Sequence, residues 1–174
     1  MPIGSRFQYK TPEEIEIIRK NCLLVSATLA EVASHIKPGI TGLRLDEIAE
    51  AFIRDHGAEP AFKGYPGSLS DFPASLCISF NEVIVHGIPD KTEVKEGDVV
   101  SVDCGVKMNG YFGDAAFTFA VGQISPEVLD LLVTTRECLD LAIQQSVAGN
   151  RIGDIGYAVQ QHAEVNHHYG VIRE

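Results

Sequence analysis

The sequence predicts a mixed α/β (α+β) domain in which a helix–helix–strand unit occurs twice and the second copy is incomplete. Apolar side chains recur at steps of three and four, the spacing of an amphipathic helix, in four segments: 12–36, 45–53, 126–147 and 152–165. Two β-type runs also flank an Asn-Gly pair, which is typical of a β-hairpin. The local sequence around Gly39 and Asp46 resembles the sequence around Gly149 and Asp154, which favours an internal duplication.

The composition indicates a single soluble globular domain at 1–174. The chain has 174 residues, of which 45% are hydrophobic, and its 14 Lys and Arg against 24 Asp and Glu give a net charge of −10. This apolar fraction excludes intrinsic disorder, and the acidic balance argues against a protein that binds nucleic-acid backbones. We expect the first half of the domain at 11–121 and the start of the second half at 125–174.

The sequence also predicts a cytoplasmic protein. No apolar run approaches the roughly 20 residues that span a bilayer, and residues 1–10 lack the apolar core of a signal peptide. The cysteines lie far apart without a Cys-x-x-Cys pair, so we expect reduced, buried thiols at Cys22, Cys77, Cys104 and Cys138.

Caps and turns delimit the elements of the first half. Thr11-Pro12-Glu13-Glu14 is a capping box that begins a long helix, which Lys37-Pro38-Gly39 ends. Gly57 ends a second, shorter helix. We then expect a strand at 59–62, a loop at 63–73 whose apolar side chains line a pocket, and short strands at 75–79 and 83–85.

The second half begins in the same way. Ser125-Pro126-Glu127 caps a long helix that Gly149 ends, and a shorter helix at 152–165 precedes the start of a strand at 170–172. The end of the shorter helix carries His162, His167 and His168. Their spacing lacks the i, i+4 pair of a helical metal site, and helix C-termini favour histidine, so we do not expect them to bind metal.

The predicted hairpin determines which side chains share a face of the sheet. We take Asn109-Gly110 as a two-residue turn, which places Asp103 opposite Ala116. In the same register Asp114 lies opposite Gly105. The two aspartates are then diagonal neighbours on one face, with Cα atoms about 7–8 Å apart, while the other face is apolar core.

Two carboxylates this close repel each other. A shared proton would relieve the repulsion, and so would a divalent cation, for which aspartate oxygens are suitable ligands. The alternative is a pair of solvated residues on the open face of an edge hairpin. A catalytic metal centre would need further ligands from elsewhere in the fold. His86, where a strand gives way to a turn, is either a group that hydrogen-bonds a substrate or an ordinary turn histidine.

Four segments carry a recognisable set of motifs: Phe62 to Pro66, Cys77 to Pro89, Val102 to Val106 and Gly110 to Asp114. In this order they resemble the motifs of type I methionine aminopeptidases, and the resemblance covers essentially the whole chain, including 37–39 and 171–174. It implies the pita-bread fold, in which two pseudo-symmetric α/β halves surround a dinuclear metal centre.

The resemblance implies roles for individual residues. Asp103 matches the bidentate metal-ligand aspartate of the family, and Asp114 matches the aspartate that bridges the two metals. His86 matches the histidine that contacts the substrate and helps to stabilise the tetrahedral intermediate. The pocket for the methionine side chain is implied to be lined by Phe62, Tyr65, Phe72 and Cys77. The implied cofactors are two divalent cations, which could be Co, Mn, Fe or Zn.

The implied activity is that of a cytosolic metalloaminopeptidase that removes the initiator methionine from nascent polypeptides, at the ribosome, by attack of metal-activated water on the first peptide carbonyl. We expect the whole enzyme to be a monomer with neither a specific nucleic acid nor a membrane as partner. Two alternatives remain: a proline-specific peptidase of the same fold, and a non-catalytic pita-bread relative that binds protein or RNA.

The sequence departs from the family pattern at its end. After the segment that matches 171–174, the family carries a second active-site histidine and further metal ligands, a histidine and two glutamates, none of which this chain contains. We therefore expect a fragment of a longer enzyme or a naturally shortened relative. We expect the 174-residue chain to bind metal weakly, to be inactive alone, and to associate through apolar surface near Val171 and Ile172.

Overall fold

The computed structural model describes residues 9–67 and 70–172. The chain forms two compact units, Met1–Gln123 and Ile124–Glu174. The division falls where the sequence predicts one half to end and the next to begin, and their union in a single domain stays a prediction. Among the described residues, no helix has the length and apolar character needed to cross a membrane.

The predicted helix-rich start of each half is observed. In the first unit the elements are α1 (Pro12–His35), α2 (Gly42–Asp55), β1 (Glu59–Pro60), β2 (Leu76–Phe80), β3 (Val99–Met108) and β4 (Tyr111–Ala120). In the second unit they are α3 (Pro126–Gln145), α4 (Ile152–Gln160) and a π-helix (Gln161–Asn166). The capping box at the start of α1 is confirmed, since Thr11 Oγ1 accepts from Glu14 N and the Glu14 carboxylate accepts from Thr11 N.

The sheet of the first unit is antiparallel with β3 at its centre. β4 pairs with β3 along its whole length, β2 pairs with residues 100–104 of β3, and β1 pairs with residues 106–107. Apolar side chains of β2 and β3 form a common core with α1 and α2, including the fully buried Leu45, Ile53, Leu76, Val100 and Val102. The opposite face of the sheet is therefore left for polar and small residues.

α1 approaches β4 at a glycine. A Cβ on Gly113 would lie 2.6 Å from the backbone carbon of Asn21, so a side chain at position 113 would displace the helix. Asn21 is fully buried, and its amide Nδ2 donates to the carbonyl oxygens of Ile17 (2.9 Å) and Met108 (3.2 Å). These contacts hold α1 against the end of the hairpin.

Two strand predictions in the first unit are wrong. The strand expected at 59–62 ends at Pro60, since the Phe62 carbonyl accepts from Tyr65 N and turns the chain away. The strand expected at 83–85 is absent from the described structure. Val83 N donates to the Phe80 carbonyl (2.9 Å), which closes a turn and leaves residues 83–85 exposed.

The second unit also differs from the prediction. Residues 170–172 form no strand, the shorter helix becomes a π-helix after Gln160, and the apolar side predicted for the long helix is exposed at Leu129, Leu139 and Ile143. Arg173 and Glu174, which end the last matching motif, lie outside the described residues.

The cysteine prediction is confirmed for the bonding state and wrong for one position. All four cysteines are free thiols, and Cys77, Cys104 and Cys138 are buried. Cys22 is exposed, because the buried stripe of α1 runs through Asn21 and Val25 and turns Cys22 to the outside.

Candidate metal centre

The predicted hairpin register is confirmed. Asp103 pairs with Ala116, and Gly105 pairs with Asp114. The turn residues Asn109 (φ 55°) and Gly110 (φ 80°) both have the left-handed conformation that a type I′ turn requires. The two aspartates are therefore diagonal neighbours on the face of the sheet opposite the core.

Asp103 carries a carboxylate oxygen that lacks a partner. Its Oδ1 is buried, and no donor within the described ranges reaches it. Burial, and then the charge of Asp114, raise the pKa of Asp103, and burial also raises the pKa of Asp114. Two hard oxygen donors whose negative charge is poorly compensated form a suitable part of a divalent-cation site.

Cys77 stands beside Asp103 on the same face. β2 pairs Cys77 with Asp103, and directly opposed residues of antiparallel strands point to the same side of the sheet. Burial, and then the charges of Asp103 and Asp114, raise the pKa of the Cys77 thiol to about 11. Cys77 is therefore a neutral, weakly polar group at the edge of the aspartate pair.

The segment that carries His86 runs along β2. Ile78 N donates to the Gly87 carbonyl (2.8 Å), and Gly87 N donates to Ser79 Oγ (3.1 Å). A Cβ on Gly87 would clash with the Ile78 carbonyl oxygen, so only glycine permits this approach. The imidazole of His86 is exposed, and its charge contributes to lowering the pKa of Asp103, against the larger effect of burial. His86 therefore lies within electrostatic range of Asp103.

The predicted pocket residues are only partly brought together. Phe62 is half-buried, and its ring lies over Gly105 on the aspartate face. Backbone hydrogen bonds join Tyr65 to Phe62 (2.9 Å) and to Phe72 (2.9 Å), but the Tyr65 side chain is 68% exposed. Phe62 and Cys77 therefore lie at the face, while Tyr65 and Phe72 belong to the adjoining loop, whose residues Ser68 and Leu69 lie outside the described ranges.

One buried acid that supports the site was missed in the sequence. Asp46 of α2 is 6% exposed, and its Oδ1 accepts from Ser75 N (2.9 Å) and Leu76 N (2.7 Å). It therefore holds Ser75 and the first residue of β2, Leu76, directly before Cys77. Burial raises its pKa despite these two donors. The available signal was an aspartate on the apolar face of a helix, between Leu45 and Ala49.

Comparison with known proteins places this chain in a family. The model of metallopeptidase family M24 matches residues 16–174. A methionine aminopeptidase of Bacillus subtilis is 46% identical over 165 residues, which are 95% of this chain. Solved methionine aminopeptidases of Thermotoga maritima (38% identity, TM-score 0.86) and Rickettsia prowazekii (33%, TM-score 0.87) each superpose on 91% of it.

The matches leave part of each relative uncovered. This chain spans 64% of the Bacillus subtilis relative, 63% of the Thermotoga maritima structure and 62% of the Rickettsia prowazekii structure. The pita-bread fold implied by the motifs is confirmed by these superpositions.

Proposed function

The chain belongs to metallopeptidase family M24, and from this premise we propose that its first unit carries part of the dinuclear metal centre of a methionine aminopeptidase. The observation that carries the proposal is the buried Asp103 Oδ1, which no described group donates to and which faces the charge of Asp114. A divalent cation would satisfy both carboxylates. When bound, such ions lower the pKa of a water molecule and stabilise charge on a carbonyl oxygen.

We assign distinct tasks to the residues around the pair. Asp103 and Asp114 would hold the divalent ions through their carboxylate oxygens. The His86 imidazole would donate a hydrogen bond to the substrate carbonyl oxygen, where it matters most as negative charge develops there. A complete centre would need further ligands besides these two carboxylates. Oxygen ligands suit Mn and Fe, and Co or Zn are further candidates.

The substrate class follows from the pocket side chains. We propose that Phe62, Tyr65, Phe72 and Cys77 receive the side chain of an N-terminal methionine, because a thioether packs favourably on aromatic rings and a neutral thiol offers it no charge. Peptides with a small second residue would fit best. The proposed physiological substrates are nascent polypeptides, met at the ribosome by a monomeric whole enzyme.

We also propose a cytoplasmic setting for this reaction. Its support is the state of the cysteines, all of which are free thiols. Thiols of this kind persist in a reducing compartment, where initiator methionine also becomes available on new chains.

Metal binding by the chain tests the carboxylate assignment. Mn²⁺ should bind the 174-residue chain with low affinity in an electron paramagnetic resonance titration, and Asp103→Asn or Asp114→Asn should weaken that binding. Asp55→Asn, an exposed aspartate at the end of α2, is the matched control and should bind as the parent does. Equal binding in all variants would contradict the assignment.

Activity of the whole enzyme separates the candidate functions. Cleavage of a Met-Ala peptide but not of an Ala-Pro peptide supports the methionine enzyme. Cleavage of the Ala-Pro peptide alone supports a proline-specific peptidase. If the Asp103→Asn variant keeps its peptidase activity, both candidate functions are contradicted. His86→Ala should slow turnover and leave the metal content unchanged. Loss of bound metal in that variant would show that His86 is a ligand instead.

A further inference from the structure

The π-helix at the end of the second unit brings two histidines together. His167 N donates to the His162 carbonyl oxygen (3.2 Å), a bond that joins residues five positions apart. The two imidazole rings consequently lie 4.6 Å apart, centroid to centroid. In an α-helix the residues that face each other are three or four apart, so the expectation that these histidines form no metal pair depended on α-helical geometry.

A carboxylate from α3 completes a three-sided cluster. Glu137 Oε2 lies 2.8 Å from His162 Nε2, and one ligand atom from each of Glu137, His162 and His167 falls within 4.8 Å of the other two. All three residues belong to the second unit. The two imidazoles are half-buried and Glu137 is exposed, so an ion could enter from solvent at the carboxylate.

The cluster already has an outer hydrogen bond of the kind that orients metal-bound histidines. Thr134, one turn before Glu137 on α3, is 2% exposed, and its Oγ1 lies 3.2 Å from His167 Nδ1. Ligand histidines commonly form such a bond through the ring nitrogen that does not bind the metal. Tyr169, whose hydroxyl donates to Asp130 (2.7 Å), fastens the following segment to the same helix.

We propose that Glu137, His162 and His167 bind one zinc ion, with water as the fourth ligand. Two imidazoles and one carboxylate form a ligand set that zinc favours. Zinc ligand atoms at about 2.0–2.1 Å stand about 3.4 Å from one another in a tetrahedron, so Glu137 Oε2 and His162 Nε2, which lie 2.8 Å apart, must separate by about 0.6 Å. The exposed Glu137 side chain can supply this movement. The ion would join α3 to the π-helix, and the proposal does not rest on the aspartate centre.

The test uses the 174-residue chain in which Asp103→Asn and Asp114→Asn remove the other candidate centre. Isothermal titration with zinc chloride should show one ion bound per chain. His167→Gln and Glu137→Gln should each weaken binding at least tenfold, and Glu137 is exposed, so its variant should fold normally. The control is His168→Asn, because His168 is outside the cluster and has a φ of 61°, which asparagine tolerates.

Two further readouts decide the outcome. Zinc should raise the midpoint of thermal unfolding of the double variant and should have little effect on the midpoint when His167→Gln is added. Failure of the double variant to bind zinc, with its far-ultraviolet circular dichroism unchanged, would show that Glu137 and His162 form an ion pair only. Equal weakening by His168→Asn would show that zinc binds nonspecifically to the histidines, which would also overturn the proposal.

Discussion

Phe62 and Gly105 are in direct contact across the boundary between the loop and the sheet. A Cβ on Gly105 would lie 2.6 Å from Cε1 of the Phe62 ring and 3.0 Å from the Cβ of Ala61. Gly105 is the pairing partner of Asp114, so the aromatic ring lies next to the aspartate pair only because position 105 has no side chain.

Gly105→Ala should therefore destabilise the first unit. The new methyl group must displace the Phe62 ring, and overpacking of this kind costs about 1–3 kcal/mol. Urea unfolding followed by circular dichroism would measure the loss. Combining Gly105→Ala with Phe62→Ala should cost less than the sum of the single changes, because the ring that clashes is gone. A strictly additive pair would contradict the contact.

Gly156→Ala is the matched glycine control and should stabilise the second unit. Gly156 lies within α4, and nothing described lies within 4 Å of a Cβ built there. Replacing glycine by alanine inside a helix contributes about 0.5–1 kcal/mol. A decrease in thermal stability would contradict the open space around Gly156.

Asp46→Ala should destabilise the first unit by about 2–4 kcal/mol, because it leaves the buried N–H groups of Ser75 and Leu76 without their acceptor. Asp46→Asn retains an oxygen acceptor and should cost clearly less. Hydrogen exchange at these two amides provides the second measurement. Unchanged protection in Asp46→Ala would show that the carboxylate does not hold the start of β2.

Asp103→Asn should stabilise the metal-free chain near neutral pH and not at acid pH. The pKa of Asp103 is raised by folding, so the folded state binds its proton more tightly and stability falls as pH rises above the ordinary carboxyl range, about 3.9. Asparagine does not ionise, so the variant does not lose stability in this way as the pH rises. Chemical unfolding in the presence of a chelator, at pH 7 and at pH 3, should show that the variant has a higher free energy of unfolding than the parent at pH 7 alone. A gain of equal size at both would exclude titration as its cause.

Cys22 should be the thiol that reacts first with a disulfide reagent at pH 8. It is exposed, whereas burial raises the pKa of Cys104 to about 12 and that of Cys77 to about 11, which leaves them almost entirely protonated. Cys22→Ser should remove the fast phase and leave the slow phases unchanged. Persistence of a fast phase in that variant would contradict the burial of the other thiols.

Local rules of the sequence determined the hairpin and with it the aspartate pair. Asn109-Gly110 favours a type I′ turn, and a two-residue turn allows only one pairing register between β3 and β4. Because side chains alternate between the two faces of a strand, this register places Asp103 and Asp114 on the same face. The capping box at Thr11 similarly determined where α1 begins. Each of these features depends on residues close together in the chain.

Other features were decided by contacts between distant segments. Residues 83–85 have side chains that are typical of a strand. However, the Gly87 carbonyl accepts the hydrogen bond from Ile78 N, and no described strand remains to pair with residues 83–85. Asp46 is buried because the backbone of Ser75 and Leu76 supplies its two donors. The apolar periodicity of α2 does not reveal these two donors.

The histidine cluster shows the same distinction within one helix. The sequence gives the five-residue separation of His162 and His167, which an α-helix would place on different sides. Only the π-helical turn, together with Glu137 and Thr134 from α3, brings these groups to one point. Spacing along a chain predicts proximity only after the helix type is known, and here the helix type is a property of the packed unit.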